Sequence, residues 1–157
     1  MTALAEGSPL PPFNLETDGG GRIATADLAG TPAVIYFYPK DDTPGCTKEA
    51  IAFTDLAGEF ESLGVRIIGI SPDNAAKHDK FIAKHGLRLT LAADPDNAAS
   101  EAFGVWVEKS MYGKTYMGVE RSTFLVDGSG NIARIWRKVK VAGHAEEVLA
   151  AARDLPR

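Results

Sequence analysis

Cys46 is the one sulfur nucleophile in a chain of 157 residues. It sits in Tyr38-Pro39-Lys40-Asp41-Asp42-Thr43-Pro44-Gly45-Cys46-Thr47-Lys48-Glu49-Ala50. Thr43 is a suitable N-cap and Pro44 a suitable first helical residue. Cys46 then falls in the first turn, among backbone N–H groups that have no partner inside the helix. Those donors and the positive end of the helix dipole favour a thiolate. Cysteines so placed commonly titrate at about 3.5–7.5, against roughly 8.5 for a free one. Thiolate is the form that attacks electrophiles. A lone cysteine can equally be a small buried hydrophobe. The surrounding Pro, Gly, Thr and Asp have the composition of a loop and a cap, which favours the reactive thiol.

The elements needed to hold such a thiol are readable on either side. Residues 33–38 (Ala-Val-Ile-Tyr-Phe-Tyr) form an apolar, partly β-branched run, as expected of a central strand covered on both faces. After Cys46, Phe53, Leu56, Phe60 and Leu63 recur at steps of three and four, one stripe of a helix expected to run to Leu63 and end at Gly64. Upstream, residues 13–15 and 22–25 flank a Gly19-Gly20-Gly21 turn and predict an N-terminal hairpin. Downstream, strands are expected at 65–70, 122–126 and 132–139, with a short extended segment at 87–91. Helices are expected near 74–84, 98–103 and 145–152. Residues 108–119 carry little periodicity and read as a loop. Asp127-Gly128-Ser129-Gly130-Asn131 predicts a hairpin turn. This alternation predicts an α/β fold with a mixed central sheet flanked by helices. Cys46 lies at a strand–helix junction, where sites form in such sheets.

Length fits one domain over residues 1–157. The net charge of −4 and pI near 5.4 give no support for nucleic-acid binding. The basic cluster from Arg134 to Lys140 alternates with Ile135, Trp136 and Val139 and reads as a strand with a solvated face. No stretch approaches the roughly 20 apolar residues that span a bilayer, and the N-terminal segment lacks the features of a secretory signal. A single unpaired cysteine fits a reducing, cytoplasmic compartment. His78 and His85 could share a helix face, but no carboxylate or cysteine completes a ligand set at usual spacing, so no metal is expected. His144 reads as a capping or surface residue. Trp106 and Trp136 read as core or interface residues.

The segment from Phe37 to Ala50 closely resembles the active-site stretch of peroxiredoxins of the bacterioferritin comigratory protein branch, also called Q-type. Glu120-Arg121-Ser122-Thr123-Phe124-Leu125-Val126 is similar to that family's second signature. The resemblance implies a thioredoxin-like fold, an N-terminal β-hairpin extension, and reduction of hydroperoxides by Cys46 without a cofactor. It further implies that Thr43 holds the peroxide through its hydroxyl. Pro39, Pro44 and Gly45 would shape the substrate loop, Pro44 shielding the sulfur. Arg121 would reach in from its strand to stabilise the thiolate and polarise the peroxide. Outside the resemblance, Arg121 reads as an ordinary strand arginine and Thr43 as a helix cap.

One departure matters. Many relatives carry a second cysteine five residues after the first or in the next helix; here Ile51 and the stretch around Ile82 stand in those places. A sulfenic acid at Cys46 would have no internal thiol to resolve it. The expected enzyme is therefore a one-cysteine peroxidase, a monomer or weak homodimer, reduced by thioredoxin, by glutaredoxin with glutathione, or by another thiol. Thioredoxin-type dithiol exchange needs two sulfurs, and Thr43-Pro44-Gly45-Cys46 has one. A redox sensor remains the non-enzymatic alternative, separable by turnover.

Overall fold

The computed structural model describes residues 4–155. Met1 to Ala3, the start of the segment read against a secretory signal, and the last two residues of the 1–157 range lie outside it. Strands β1 (Asn14–Glu16) and β2 (Arg22–Ala24) form the expected antiparallel hairpin. Strands β3 (Ala33–Phe37), β4 (Arg66–Ser71) and β5 (Thr90–Ala93) are followed by β6 (Trp106–Met111), β7 (Lys114–Val119), β8 (Ser122–Val126) and β9 (Ile132–Trp136). The helices are α1 (Pro44–Asp55), α2 (Ala57–Ser62), α3 (Ala75–His85), α4 (Ala98–Ala102) and α5 (His144–Arg153). The central sheet has the order β5-β4-β3-β8-β9. Pairings β3–β4 and β4–β5 are parallel, and β3–β8 and β8–β9 antiparallel, so the sheet is mixed.

β3 is buried along its whole length. Successive side chains point to opposite faces, and the core divides accordingly. Val34, Tyr36 and Tyr38 enter a cluster with α1 residues Ala50 and Phe53 and α5 residues Val148 and Leu149. Ala33, Ile35 and Phe37 enter a second cluster with Phe103, Phe124 and Ile132. Tyr36 stacks on Phe53 with ring centroids 4.9 Å apart. That contact sets the height of α1 above the strand that leads into it.

Four expectations about elements change, the simplest being that the strand expected over 132–139 stops at Trp136. The helix expected from Cys46 to Leu63 is two helices, interrupted at Leu56 (φ −101°, ψ 4°). Phe53 and Phe60 are buried on either side of the break, so the apolar stripe continues while the backbone does not. Residues 108–119, expected to be a loop, belong to the antiparallel β6–β7 ribbon, with Lys109 opposite Tyr116 and Met111 opposite Lys114. Most of its outer half is exposed on both faces, which removes the apolar alternation that marks a half-buried strand. The extended segment expected at 87–91 is shifted to β5. The ends of α3 fall within a residue of the expected 74–84: Asn74 caps it by accepting from the Lys77 N–H, and Gly86 (φ 61°) closes it in the left-handed region.

Candidate active site

β3 ends on the sheet's C-terminal edge and Tyr38 to Thr43 carry the chain from there into α1. Thr43 is the N-cap (φ −95°, ψ 156°), Pro44 the first helical residue, and Cys46 lies in the first turn, as the sequence predicts. The sulfur is not in an open loop. Cys46 is 2 % exposed and lies at the margin of the α1-side core. The thiol is thus both buried, as in the bland reading, and placed at a helix start beside a cation.

That cation is Arg121. Its Nη2 donates to Cys46 Sγ at 3.3 Å, and its Nη1 donates to Glu49 Oε1 at 2.6 Å. Arg121 lies in the two-residue link between β7 and β8, one position before the strand that was expected to carry it. Glu120 N–H to Val105 C=O (2.8 Å) and Val139 N–H to Arg121 C=O (3.0 Å) fix that link. A Cβ built on Gly45 would stand 3.2 Å from Arg121 Nη2. Gly45 therefore makes room for the guanidinium. A charge-assisted hydrogen bond of this kind is strongest to an anionic acceptor.

Glu49 was missed by sequence reasoning. It is 1 % exposed, and its Oε2 has no hydrogen-bond partner among the described residues. Burial pushes its carboxyl up from 4.5 to about 7, against the opposing charge and hydrogen bond of Arg121. Arg121 is only partly buried. Burial pulls its pKa down, but the charges of Glu49 and Cys46 outweigh that and raise it. The signal for Glu49 was present: an acid three residues after Cys46, on the helix stripe that also holds Ala50 and Phe53.

A second cation approaches from the β6–β7 ribbon. A Cβ built on Gly118 would meet the Lys109 stem at 3.2 Å (Cδ) and 3.5 Å (Cε). Burial and the Arg121 charge lower the Lys109 pKa, while Glu120 and Cys46 oppose that.

Thr43 is at the cap position but does not cap. Its hydroxyl donates to the Lys40 carbonyl at 2.9 Å instead of accepting from a helix N–H. The hydroxyl keeps its lone pairs as acceptors. Pro39 is half-buried and Pro44 exposed. His78 and His85 do share a face of α3, and that face meets the active-site loop: His78 Nδ1 is 2.7 Å from Asp41 Oδ2, and His85 Nε2 is 2.9 Å from Asp42 Oδ1. His144, expected to cap a helix or lie at the surface, does neither: it is the first residue of α5, after the cap at Gly143, and is buried with Nε2 2.8 Å from Thr123 Oγ1. Trp106 and Trp136 are partly buried against the two core clusters.

The arrangement supplies a nucleophilic sulfur, a fixed cation against it and a hydroxyl acceptor on the same first turn. Known proteins share this framework. The model of the AhpC/TSA family matches residues 7–135. Peroxiredoxin Bcp of Xanthomonas campestris is 50% identical over 137 residues, covering 87% of this chain and 86% of its own. Peroxiredoxin Bcp of Bacillus subtilis is 46% identical over 149 residues, 95% of each chain. A Xanthomonas campestris bacterioferritin comigratory protein, whose trapped intermediate and ligand complexes were studied for alkyl peroxide reduction, superposes with a TM-score of 0.86. It is 48% identical and the match covers 90% of both chains. The thioredoxin-like fold and the overall likeness thus extend across nearly the full length, and the chain belongs to the AhpC/TSA family, in its bacterioferritin comigratory protein (Q-type) peroxiredoxin branch.

Proposed function

We propose that this protein is a thiol-dependent peroxidase acting on hydrogen peroxide and organic hydroperoxides, including alkyl hydroperoxides, with Cys46 as its nucleophile. The observation that carries the reading is the 3.3 Å contact between Arg121 and the Cys46 sulfur in the first turn of α1. The thiolate attacks the terminal oxygen of ROOH. The S–O bond forms as the O–O bond breaks, leaving a sulfenic acid on Cys46 and RO⁻, which takes up a proton as water or alcohol. Attack of this kind needs an oriented peroxide and positive charge where the leaving oxygen becomes anionic. Thr43 accepts a hydrogen bond from the peroxide, and Arg121, fully charged at any accessible pH, stabilises both sulfur and leaving oxygen. Pro39, Pro44 and Gly45 shape the approach.

With one cysteine in the chain, resolution falls to an outside thiol. It displaces water from the sulfenic acid to form a mixed disulfide, and a second thiol restores the Cys46 thiolate. Thioredoxin, or glutaredoxin with glutathione, supplies these thiols in the reducing cytoplasm, and the protein works as a monomer or weak homodimer. No helix among the described residues is long and apolar enough to cross a membrane.

Turnover tests the reading. Purified protein with excess hydrogen peroxide and a thiol reductant should consume many equivalents of peroxide, and Cys46→Ser should consume none. Activity retained by Cys46→Ser would overturn the assignment; a single equivalent consumed per protein would make it a sensor.

A further inference from the structure

The active-site loop is tied to α3 and the end of β4 by groups that the peroxidase chemistry does not itself use. The Asp41 N–H donates to Asp73 Oδ2 at 2.7 Å, and the Ser71 hydroxyl donates to the same oxygen at 2.8 Å. Asp73 is 7 % exposed at its side chain, so this contact is largely shielded from solvent. The Asp41 N–H belongs to the same peptide unit as the Lys40 carbonyl, which receives the Thr43 hydroxyl. That peptide is trans. In a planar trans peptide, C=O and N–H point in opposite directions. Holding the N–H toward Asp73 therefore aims the carbonyl toward Thr43. With its proton committed to Lys40, the Thr43 hydroxyl can only accept, and its lone pairs are left free for a donor.

The residues on either side of this peptide are pinned as well. The Asp41 carboxylate receives the Tyr38 hydroxyl and lies 2.7 Å from His78 Nδ1. His78 is fully buried and its Nε2 faces the Ala92 carbonyl at 3.0 Å, so Nε2 carries a proton and donates. Asp42, held at φ 58°, takes Lys84 Nζ at 2.7 Å and His85 Nε2 at 2.9 Å. Rotation of the 40–41 peptide would break the Asp73 bond and strain these anchors together.

We infer that Asp73, backed by the Asp41–His78 contact, is a positioning residue for peroxide reduction: through the Lys40–Asp41 peptide it fixes the Thr43 hydroxyl as an acceptor for the terminal O–H of the hydroperoxide. The inference builds on the peroxidase reading above. Asp73 touches neither sulfur nor substrate. Its effect falls on orientation, where a displacement of about 1 Å can cost up to about 100-fold in rate.

The test compares two reactions of Cys46 in the full-length protein, followed by stopped flow under single-turnover conditions. Oxidation by hydrogen peroxide needs the oriented acceptor; alkylation by iodoacetamide needs only a reactive, reachable sulfur. Asp73→Ala should slow oxidation about 10-fold and leave alkylation near the wild-type rate. Asp73→Asn, whose carbonyl oxygen can still accept the Asp41 N–H, should restore oxidation. In a Thr43→Val background, Asp73→Ala should add no further loss, because the two residues act in series. If Asp73→Ala does not fold, Asp73→Ser replaces it, its hydroxyl being too short to reach the Asp41 N–H. Equal slowing of both reactions, or no rescue by Asp73→Asn, would leave Asp73 a structural residue and overturn the inference. A wild-type protein that ignores peroxide overturns the peroxidase reading itself. A reactive wild type whose Asp73→Ala variant keeps its full oxidation rate overturns only the role of Asp73.

Discussion

Between the Cys46 sulfur and the interior stands one ion pair, Arg121 with Glu49, and burial divides it unequally. Glu49 is the more deeply enclosed partner, and its carboxyl is raised from 4.5 to about 7. A raised carboxyl stabilises the fold fully below its unfolded pKa, and that stability is lost as pH rises through the folded one. Stability should therefore fall between about pH 4.5 and 7 on account of Glu49, by about 3 kcal/mol. Urea denaturation across this range should show the slope, and Glu49→Gln should flatten it; an equally steep slope in Glu49→Gln would assign it to other groups. Arg121 acts on the sulfur directly. Arg121→Ala should slow oxidation of Cys46 by peroxide about 10²-fold or more, as loss of a preorganised charge does elsewhere. An unchanged single-turnover rate would remove Arg121 from the site. Cys46 was legible because cap position, proline and thiol fall within four residues; Thr43 was legible only as a cap, and its place beside the thiol as a peroxide acceptor came from the family resemblance. Arg121 arrives from 75 positions away, and only the family resemblance pointed to it. Glu49 drew no assignment, since an acid is almost never fully buried unless it is paired, and its partner Arg121 lies far off in the chain.

At the scale of elements, the position of the thiol depends on how α1 sits on β3. Phe53 is fully buried, stacked on Tyr36 and within 6.1 Å of the Phe60 ring. Phe53→Ala removes that contact and leaves a cavity beneath the helix, at a cost of about 3–5 kcal/mol. Thermal unfolding should shift down by roughly 10 °C for a chain of this size. A shift of only a degree or two would mean that α1 is anchored elsewhere. β3 was readable because a strand covered on both faces is a continuous apolar run. The break at Leu56 was not, since the stripe of Phe53 and Phe60 persists through it. The β6–β7 ribbon was hidden for the opposite reason: Met111, Tyr112, Tyr116 and Met117 are all exposed, so no face of its outer half is patterned by a core. Its Tyr112-Gly113 turn, with both residues at positive φ, was the local cue.

For the whole molecule, the decisive fact is arithmetic: one cysteine in 157 residues. Relatives at 46% and 50% identity support the same peroxidase chemistry, but here the oxidised sulfur must be resolved from outside. Peroxide-treated protein run on a non-reducing gel should show only monomer of unchanged mobility and, at high concentration, a Cys46–Cys46 linked dimer. A compact, faster-migrating monomer would contradict this. Mass spectrometry of the intact protein after one equivalent of hydrogen peroxide, with and without glutathione, tests the central chemistry most directly. The account predicts one added oxygen on Cys46 without glutathione and a glutathione adduct at Cys46 with it. An unmodified Cys46 in both samples, or oxygen found on other residues alone, would contradict it.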